Sequence, residues 1–470
     1  MGYPRHQAAP ATLPHIERQK AVRDAHSPRD PLAADPAERT VYTLRREPPA
    51  RGLPPELAEG LDAEQRAAVE GAGGRTLILA SAGAGKTRTL VATLARLVAE
   101  GVPAQSIVLT TFTRRAAAEM VGRASAAAGV DLSGMLAGTV QSICARLLRE
   151  GGSAVGVPPG FSVLDPEDQS DLMTLARDAV LGGMDERPSL PKPATLVSYA
   201  GSAAESGRPL AEVVAAANGR LADRTELIEK IVVGYTERKR SQALLDYADL
   251  LALGHRLLDE GGAAADRIRG RIRWVLVDEL HDMNPVQAAL VEALGRDGNV
   301  VAVADPDQAI YSWRGADPEV VRRYAEAPGT RVFPLQTNYR SRPEIVALAQ
   351  ETLPAGNPWG KTLRSSRPAG SQRPVIAHLA SVADEAAFVT QRIADLITAG
   401  REPGDIAVLY RAHHHSLELQ LALTTAGVEF ELYSGARLVE SAHIKDVLAF
   451  CRLRHNPRDE HARNRALRLL

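Results

Sequence analysis

TLILASAGAGKTRTL, Thr76 to Leu90, decides the fold, because it runs an apolar strand pattern into a glycine-rich turn and then into a helix start at Gly85-Lys86-Thr87. That order builds a cradle for a triphosphate. Gly83 and Gly85 let the backbone bend close to the phosphates, and the free N–H groups from Ala82 through Ala84 to the helix N-terminus point at the anion. Lys86 is placed to reach the outer phosphates and the Thr87 hydroxyl to ligate magnesium. Ala80 stands where glycine opens the usual pattern, a mild departure. The structural alternative is a strand-turn-helix whose glycines serve only the tight turn.

Working outward, the flanking sequence keeps α/β grammar. Upstream, LDAEQRAAVE from Leu61 reads as a helix with Asp62 as its N-cap. Downstream come a helix to about Glu100, the strand SIVLTTF from Ser106 to Phe112, and a helix through RRAAAEMVGRASAAA. RWVLVDE, Arg273 to Glu279, and NVVAVAD, Asn299 to Asp305, are continuous β-branched runs of the kind buried on both faces of a parallel sheet. RVFPL, RPVIAHLA, DIAVLYR and FELYSG read as strands of a second α/β unit, and the chain closes in a basic helical pattern. The expected organisation is a Pro/Ala-rich tail over 1–57 with no packing, a first α/β domain over 58–146 and 246–328, an inserted helical domain over 147–245, and a partial second α/β domain over 329–470.

Composition narrows the function classes without choosing one. The 470 residues are 45% hydrophobic, enough for sizeable cores, and the net charge of -1 gives no global field to draw a polyanion. Nucleic-acid contact would have to come from local patches and stacking. The two cysteines, Cys144 and Cys451, have no metal-ligand or CxxC spacing, which argues against a zinc site or a disulfide scaffold and fits a reducing cytoplasm. No apolar run is long enough for a bilayer, and no signal peptide opens the sequence, so no membrane partner is expected.

The carboxylates sit where a phosphate site needs them. In VLVDELHD the apolar run ends at Asp278 and Glu279, at a strand's carboxyl end that faces the same crevice as the loop. Asp278 is placed to hold magnesium with Thr87, and Glu279 to orient and deprotonate the attacking water; the alternative is an acidic helix cap. A second strand runs into VADPDQAIYSWRGA, which brings Gln308 towards a terminal phosphate and follows it with Tyr311, Trp313 and Arg314. Such aromatics stack bases at about 1–3 kcal/mol each, or else serve as ordinary core residues. LQTNYRSRPEI sets Arg340 and Arg342 beside Tyr339, either as structural ion pairs or as an arginine finger across a cleft.

Taken in order, these motifs resemble the superfamily 1 DNA helicases of the UvrD, Rep and PcrA group, from about Leu61 to about Arg454. LDAEQRAAV is similar to the adenine-reading Q motif, which places Gln65 on the base, and ASAGAGKTR to the phosphate loop, with Arg88 beside the nucleotide. TTFTRRAAAEM resembles the segment whose aromatic, here Phe112, packs against single-stranded DNA; GTVQSICARLL follows on that track, and LLDYADLL resembles the acidic-leucine motif before the catalytic strand. The resemblance implies two RecA-like motor domains closing on ATP and Mg2+, with Tyr339 on adenine, Arg340 as the finger, Gln308 sensing the γ-phosphate, and Tyr311, Trp313 and Arg314 on DNA. It implies movement 3′ to 5′ along single-stranded DNA and action at duplex–single-strand junctions.

Several positions depart from the family pattern. Leu280 and His281 occupy the region of a Glu-aromatic-Gln-Asp sequence, Val140 and Gln141 replace Phe-His, and Ala304 stands where glycine is common. None removes a phosphate or metal ligand. The HHH run, His413 to His415, reads as solvated surface rather than a metal site. The family's later motifs have no counterpart before Leu470, so the chain is expected to be a fragment or to be completed by a second polypeptide, and to hydrolyse ATP weakly alone. The alternative function is an ATP-gated single-stranded DNA-binding module without unwinding. A nuclease-fused relative ranks last, because no nuclease carboxylate cluster is visible.

Overall fold

The computed structural model describes residues 58–184, 188–353, 359, 362–433 and 442–467, with two short strands at Ile16–Arg18 and Tyr42–Leu44. Those two strands pair antiparallel, an element too short to show a period in a stretch expected to pack nowhere. The rest of the expected tail lies outside the described residues.

The strand patterns around the glycine-rich loop build one six-stranded sheet. Its members are β1 (Arg75–Ala80), β2 (Ile107–Thr110), β3 (Leu136–Gly138), β4 (Trp274–Val277), β5 (Asn299–Ala304) and β6 (Thr330–Leu335). They lie all parallel in the order β6-β1-β5-β4-β2-β3. Alternate residues feed two cores: Leu77, Leu79, Val275 and Val277 pack on one face, and Ile78, Ala80, Leu276 and Val301 on the other. Burial on both faces is why these strands read as unbroken apolar runs. Each buried leucine contributes about 1.5–3 kcal/mol.

The order puts the carboxyl ends of β1, β5 and β4 side by side, so the phosphate loop, Asp305 and the Asp278-Glu279 pair open into one crevice. RVFPL does form a strand, but it closes the edge of this first sheet beside β1 instead of opening a second one. Six consecutive pairings from Thr330↔Arg75 to Leu335↔Ala80 hold it there. The other three stretches expected as strands, RPVIAHLA, DIAVLYR and FELYSG, form no strand within their described residues. They are extended but lack a hydrogen-bonded neighbour there, and a strand exists only through its neighbour.

The expected start of the insertion at 147 falls inside α4 (Val140–Gly151), where Leu147 and Leu148 belong to the sheet's core. A separate core begins at Leu164 and runs to Leu244, built from Leu172, Leu196, Ile228, Ile231 and Tyr235 on α5 (Pro166–Leu181), α6 (Pro193–Ser206) and α8 (Thr225–Ser241). The acidic-leucine motif fastens this insertion to the motor. Asp246 caps α9 (Tyr247–Glu260) in a capping box with Asp249, and both carboxylates reach buried Lys239 of α8, at 2.5 and 2.6 Å. In the second half, α14 (Val382–Thr398) packs on α15 (Leu417–Thr425), while α16 (Ala442–His455) and α17 (Glu460–Leu467) dock on the insertion. No helix among the described residues is long and apolar enough to cross a membrane.

Candidate nucleotide and nucleic-acid site

The phosphate loop has the backbone the sequence requires. Gly83 and Gly85 sit at φ 72° and 85°, the left-handed region, and a Cβ on Gly85 would come within 2.5 Å of Gln65 Nε2. Lys86 and Thr87 open α2 (Lys86–Ala99), so the first free N–H groups of that helix crown the loop. Lys86 Nζ lies 3.5 Å from Glu279 Oε2 and 3.8 Å from Asp305 Oδ2. The loop lysine therefore bridges the ends of β4 and β5. Arg88 lies over Gly60, beside the start of α1 (Ala63–Gly71).

Gln65 takes a different place from the one expected on a base. It is 2% exposed, its Nε2 donates to Ala84 O at 2.9 Å, and its Oε1 accepts from the Asp62 N–H at 3.3 Å. Both amide ends are thus committed to the capping box and the loop backbone. The pattern D-A-E-Q that signals the cap is also what turns Gln65 inward.

The acids show the electrostatic imprint of a cation site. Asp278 is buried, and its Oδ1 has no hydrogen-bond partner among the described residues. Burial, then the Glu279 charge, push the Asp278 carboxyl up to about 7 against the pull of Lys86. Burial likewise raises Glu279, with Lys86 opposing. Clustered carboxylates with one lysine between them fit a divalent cation, with Asp278 and Thr87 as its holders. Glu279 is held at φ 53°, a left-handed conformation that costs a non-glycine residue about 1–3 kcal/mol. Gln308 donates from Nε2 to Asp305 Oδ2, in the turn after β5.

Across the loop lies the segment Thr337–Ser341. The Tyr339 N–H donates to Gly83 O at 2.9 Å, and the Tyr339 hydroxyl donates to Asp62 Oδ2. Arg340 Cβ comes within 2.9 Å of where a Gly83 Cβ would stand, and its charge is felt at Glu279. Arg342 instead lies against Gly370. Sequence reasoning missed Asn338, which organises this turn: its Nδ2 donates to Ala82 O at 2.7 Å and its Oδ1 accepts the Arg340 and Ser341 N–H groups at 2.9 and 2.7 Å. The signal was available, since asparagine side chains commonly accept from the backbone two residues on.

The aromatic residues meet beside the acids. Phe112, from the end of β2, stacks on Tyr311 with ring centroids 4.9 Å apart and planes 24° apart, and Trp313 stands 6.1 Å further on, 72% exposed. A cavity of about 200 Å³ is walled by Phe112 and Tyr311 on one side and by Asp278 and Glu279 on another. Gln141, Tyr247 and Glu205 complete it, the last two unflagged by sequence because their elements come from the insertion and its junction. Arg314 closes the same turn as Trp313, and its side chain lies outside the described residues. His413–Ser416 form a single turn far along the chain, with the His414 and His415 rings edge to face at 4.2 Å.

Comparison with known proteins agrees with this geometry. Residues 61–328 match the UvrD/REP helicase N-terminal domain, and residues 333–470 match the UvrD-like helicase C-terminal domain. DNA helicase II of Haemophilus influenzae is 36% identical over 420 residues, covering 88% of this chain and 56% of that protein. DNA helicase II of Escherichia coli is 34% identical over 416 residues, 87% and 56% of the two chains, and ATP-dependent DNA helicase PcrA of Bacillus subtilis is 30% identical over 412 residues, 86% and 54%. The chain thus spans about half the length of these relatives. It belongs to the UvrD/REP helicase family.

Proposed function

We propose that this chain is an ATP-dependent motor on single-stranded DNA, a 3′-to-5′ translocase that acts at duplex–single-strand junctions in the cytoplasm. The observation that carries the reading is the shared wall: the stacked Phe112 and Tyr311 and the acids Asp278 and Glu279 border one cavity, so a change at the phosphate is one residue layer from a stacked base. Lys86 and the loop N–H groups hold the triphosphate, and Thr87 with Asp278 would hold Mg2+. The cation, when bound, neutralises phosphate oxygens. Glu279 accepts the proton of the attacking water, Arg340 adds positive charge to the phosphoryl group in transfer, and Gln308 contacts the γ-phosphate from the turn that carries Tyr311 and Trp313. Tyr339, fixed by Asp62, offers its face to the adenine.

A second reading, an ATP-gated DNA-binding module that does not unwind, is favoured by the extended segments of the second half that carry no sheet among their described residues. Completion by a second polypeptide would supply what those segments lack. The test is phosphate release by the 470-residue chain with and without an oligo-dT strand, against Lys86→Ala. Stimulation by DNA that Lys86→Ala abolishes supports the motor; nucleotide-dependent DNA affinity without stimulation supports the module. Within an active chain, Arg340→Ala should slow turnover by about 10³-fold while nucleotide stays bound.

A further inference from the structure

His281 follows the water-activating acid by two residues and is 2% exposed. Its Nδ1 accepts the Asp305 N–H at 3.1 Å, so the ring proton resides on Nε2. That Nε2 faces Glu279 Oε2 at 3.6 Å and Asp282 Oδ1 at 3.7 Å. Asp305 in turn accepts from Gln308 Nε2 and from the Asp307 N–H. One imidazole therefore spans from the acid at the end of β4 to the turn after β5 that leads to Tyr311 and Trp313. Glu279 Oε2 lies between two donors, Lys86 Nζ at 3.5 Å and His281 Nε2 at 3.6 Å, each a few tenths of an ångström beyond a short charge-assisted bond.

We propose that His281 is a positioning residue that couples the two strand ends: it aims the Glu279 carboxylate and transmits nucleotide capture to the turn bearing the DNA-facing aromatics. The inference rests on the nucleotide site proposed above. It requires a side chain with an acceptor at one end and a donor at the other. Glutamine has both; leucine fills the space with neither.

The experiment uses the full chain with a magnesium-bound, slowly hydrolysed ATP analogue and reads backbone amide exchange over Asp305–Trp313, together with analogue affinity. In the wild type, analogue binding should slow exchange across that turn. His281→Gln should preserve the response. His281→Leu should bind the analogue within about twofold of wild type yet lose the slowing, and its DNA-stimulated turnover should fall by about tenfold to 10²-fold at unchanged KM. Should His281→Leu fail to fold, His281→Met fills similar volume without either hydrogen-bonding end and takes its place. A full exchange response in the apolar variant, or its loss in His281→Gln, overturns the inference while leaving the nucleotide site standing. A wild-type chain that binds no analogue overturns the site and the inference with it, a result seen before any variant is made.

Discussion

The sheet around the phosphate loop and the extended segments beyond Leu335 are written in similar residues and behave differently. Val300, Val301 and Val303 are at most 5% exposed, whereas Val375, Ile376, Leu409 and Tyr433 are 80–90% exposed. β5 has β1 on one side and β4 on the other; among the described residues, the later segments have no hydrogen-bonded strand beside them. Strand propensity thus records fit to a neighbour more than a preference of the backbone. The most forceful way to break the comparison is a matched truncation. Leu276→Ala, in the middle of β4 and fully buried, should cost about 2–5 kcal/mol in urea unfolding. Leu409→Ala, 90% exposed, should stay within about 0.5 kcal/mol. Equal losses would mean that the second half is packed as tightly as the first.

One part of the second half is anchored, by charge. Asp168 of the insertion receives Arg452 and lies 2.8 Å from His461 Nε2, while Lys445 pairs with Asp165 and Glu167 and Asn456 donates to Gln242 O and Ala243 O. Burial pushes the Asp168 carboxyl up, but the His461 hydrogen bond and the charges of Arg452 and His461 outweigh it and bring it down to about 2. The hydrogen bond to Asp168 raises His461 against burial. A lowered carboxylate stabilises docking above its ordinary value near 3.8 and loses that contribution as pH falls towards 2, about 2 kcal/mol in all. A raised histidine contributes fully below 6.5 and loses its contribution as pH climbs through its folded value. Docking of α16 and α17 should therefore be tightest between about pH 4 and 6.5 and loosen on both sides. Amide exchange of Glu460–Leu467 across that range, corrected for intrinsic rates, checks it; a flat profile would show that packing rather than charge holds these helices.

How much was legible follows the same division. The loop, the acids and the aromatic pair were readable because each motif is local: a few consecutive residues set a strand end, a turn or a helix start. Gln65 was misplaced because its partner, Ala84 O, lies 19 residues away, and no local pattern says which way a buried amide turns. Tyr247 and Glu205 went unnoticed for the same reason, since the insertion carries them back to Phe112 and Tyr311 only in three dimensions. RVFPL was recognised as a strand but assigned to the wrong sheet, because alternation reveals a strand and not its neighbour.

The smallest effect tests whether the well-packed half stores strain. Glu279 is held at φ 53° by the short turn between β4 and Leu280–Asp282, and the side chain reaches Lys86 from that conformation. Comparing Glu279→Ala with Glu279→Gly isolates the backbone, because both remove the carboxylate and its repulsion with Asp278. Glycine loses about 0.5–1 kcal/mol to chain entropy relative to alanine, but it escapes the left-handed penalty of about 1–2 kcal/mol. Glycine should come out more stable than alanine by roughly 0.5–1 kcal/mol at 279. At Leu409, which has no positive φ, the order should reverse. Alanine winning at both positions would mean that the turn after β4 relaxes once the carboxylate is gone, and that Lys86, rather than the rigidity of the sheet, holds Glu279 in its conformation.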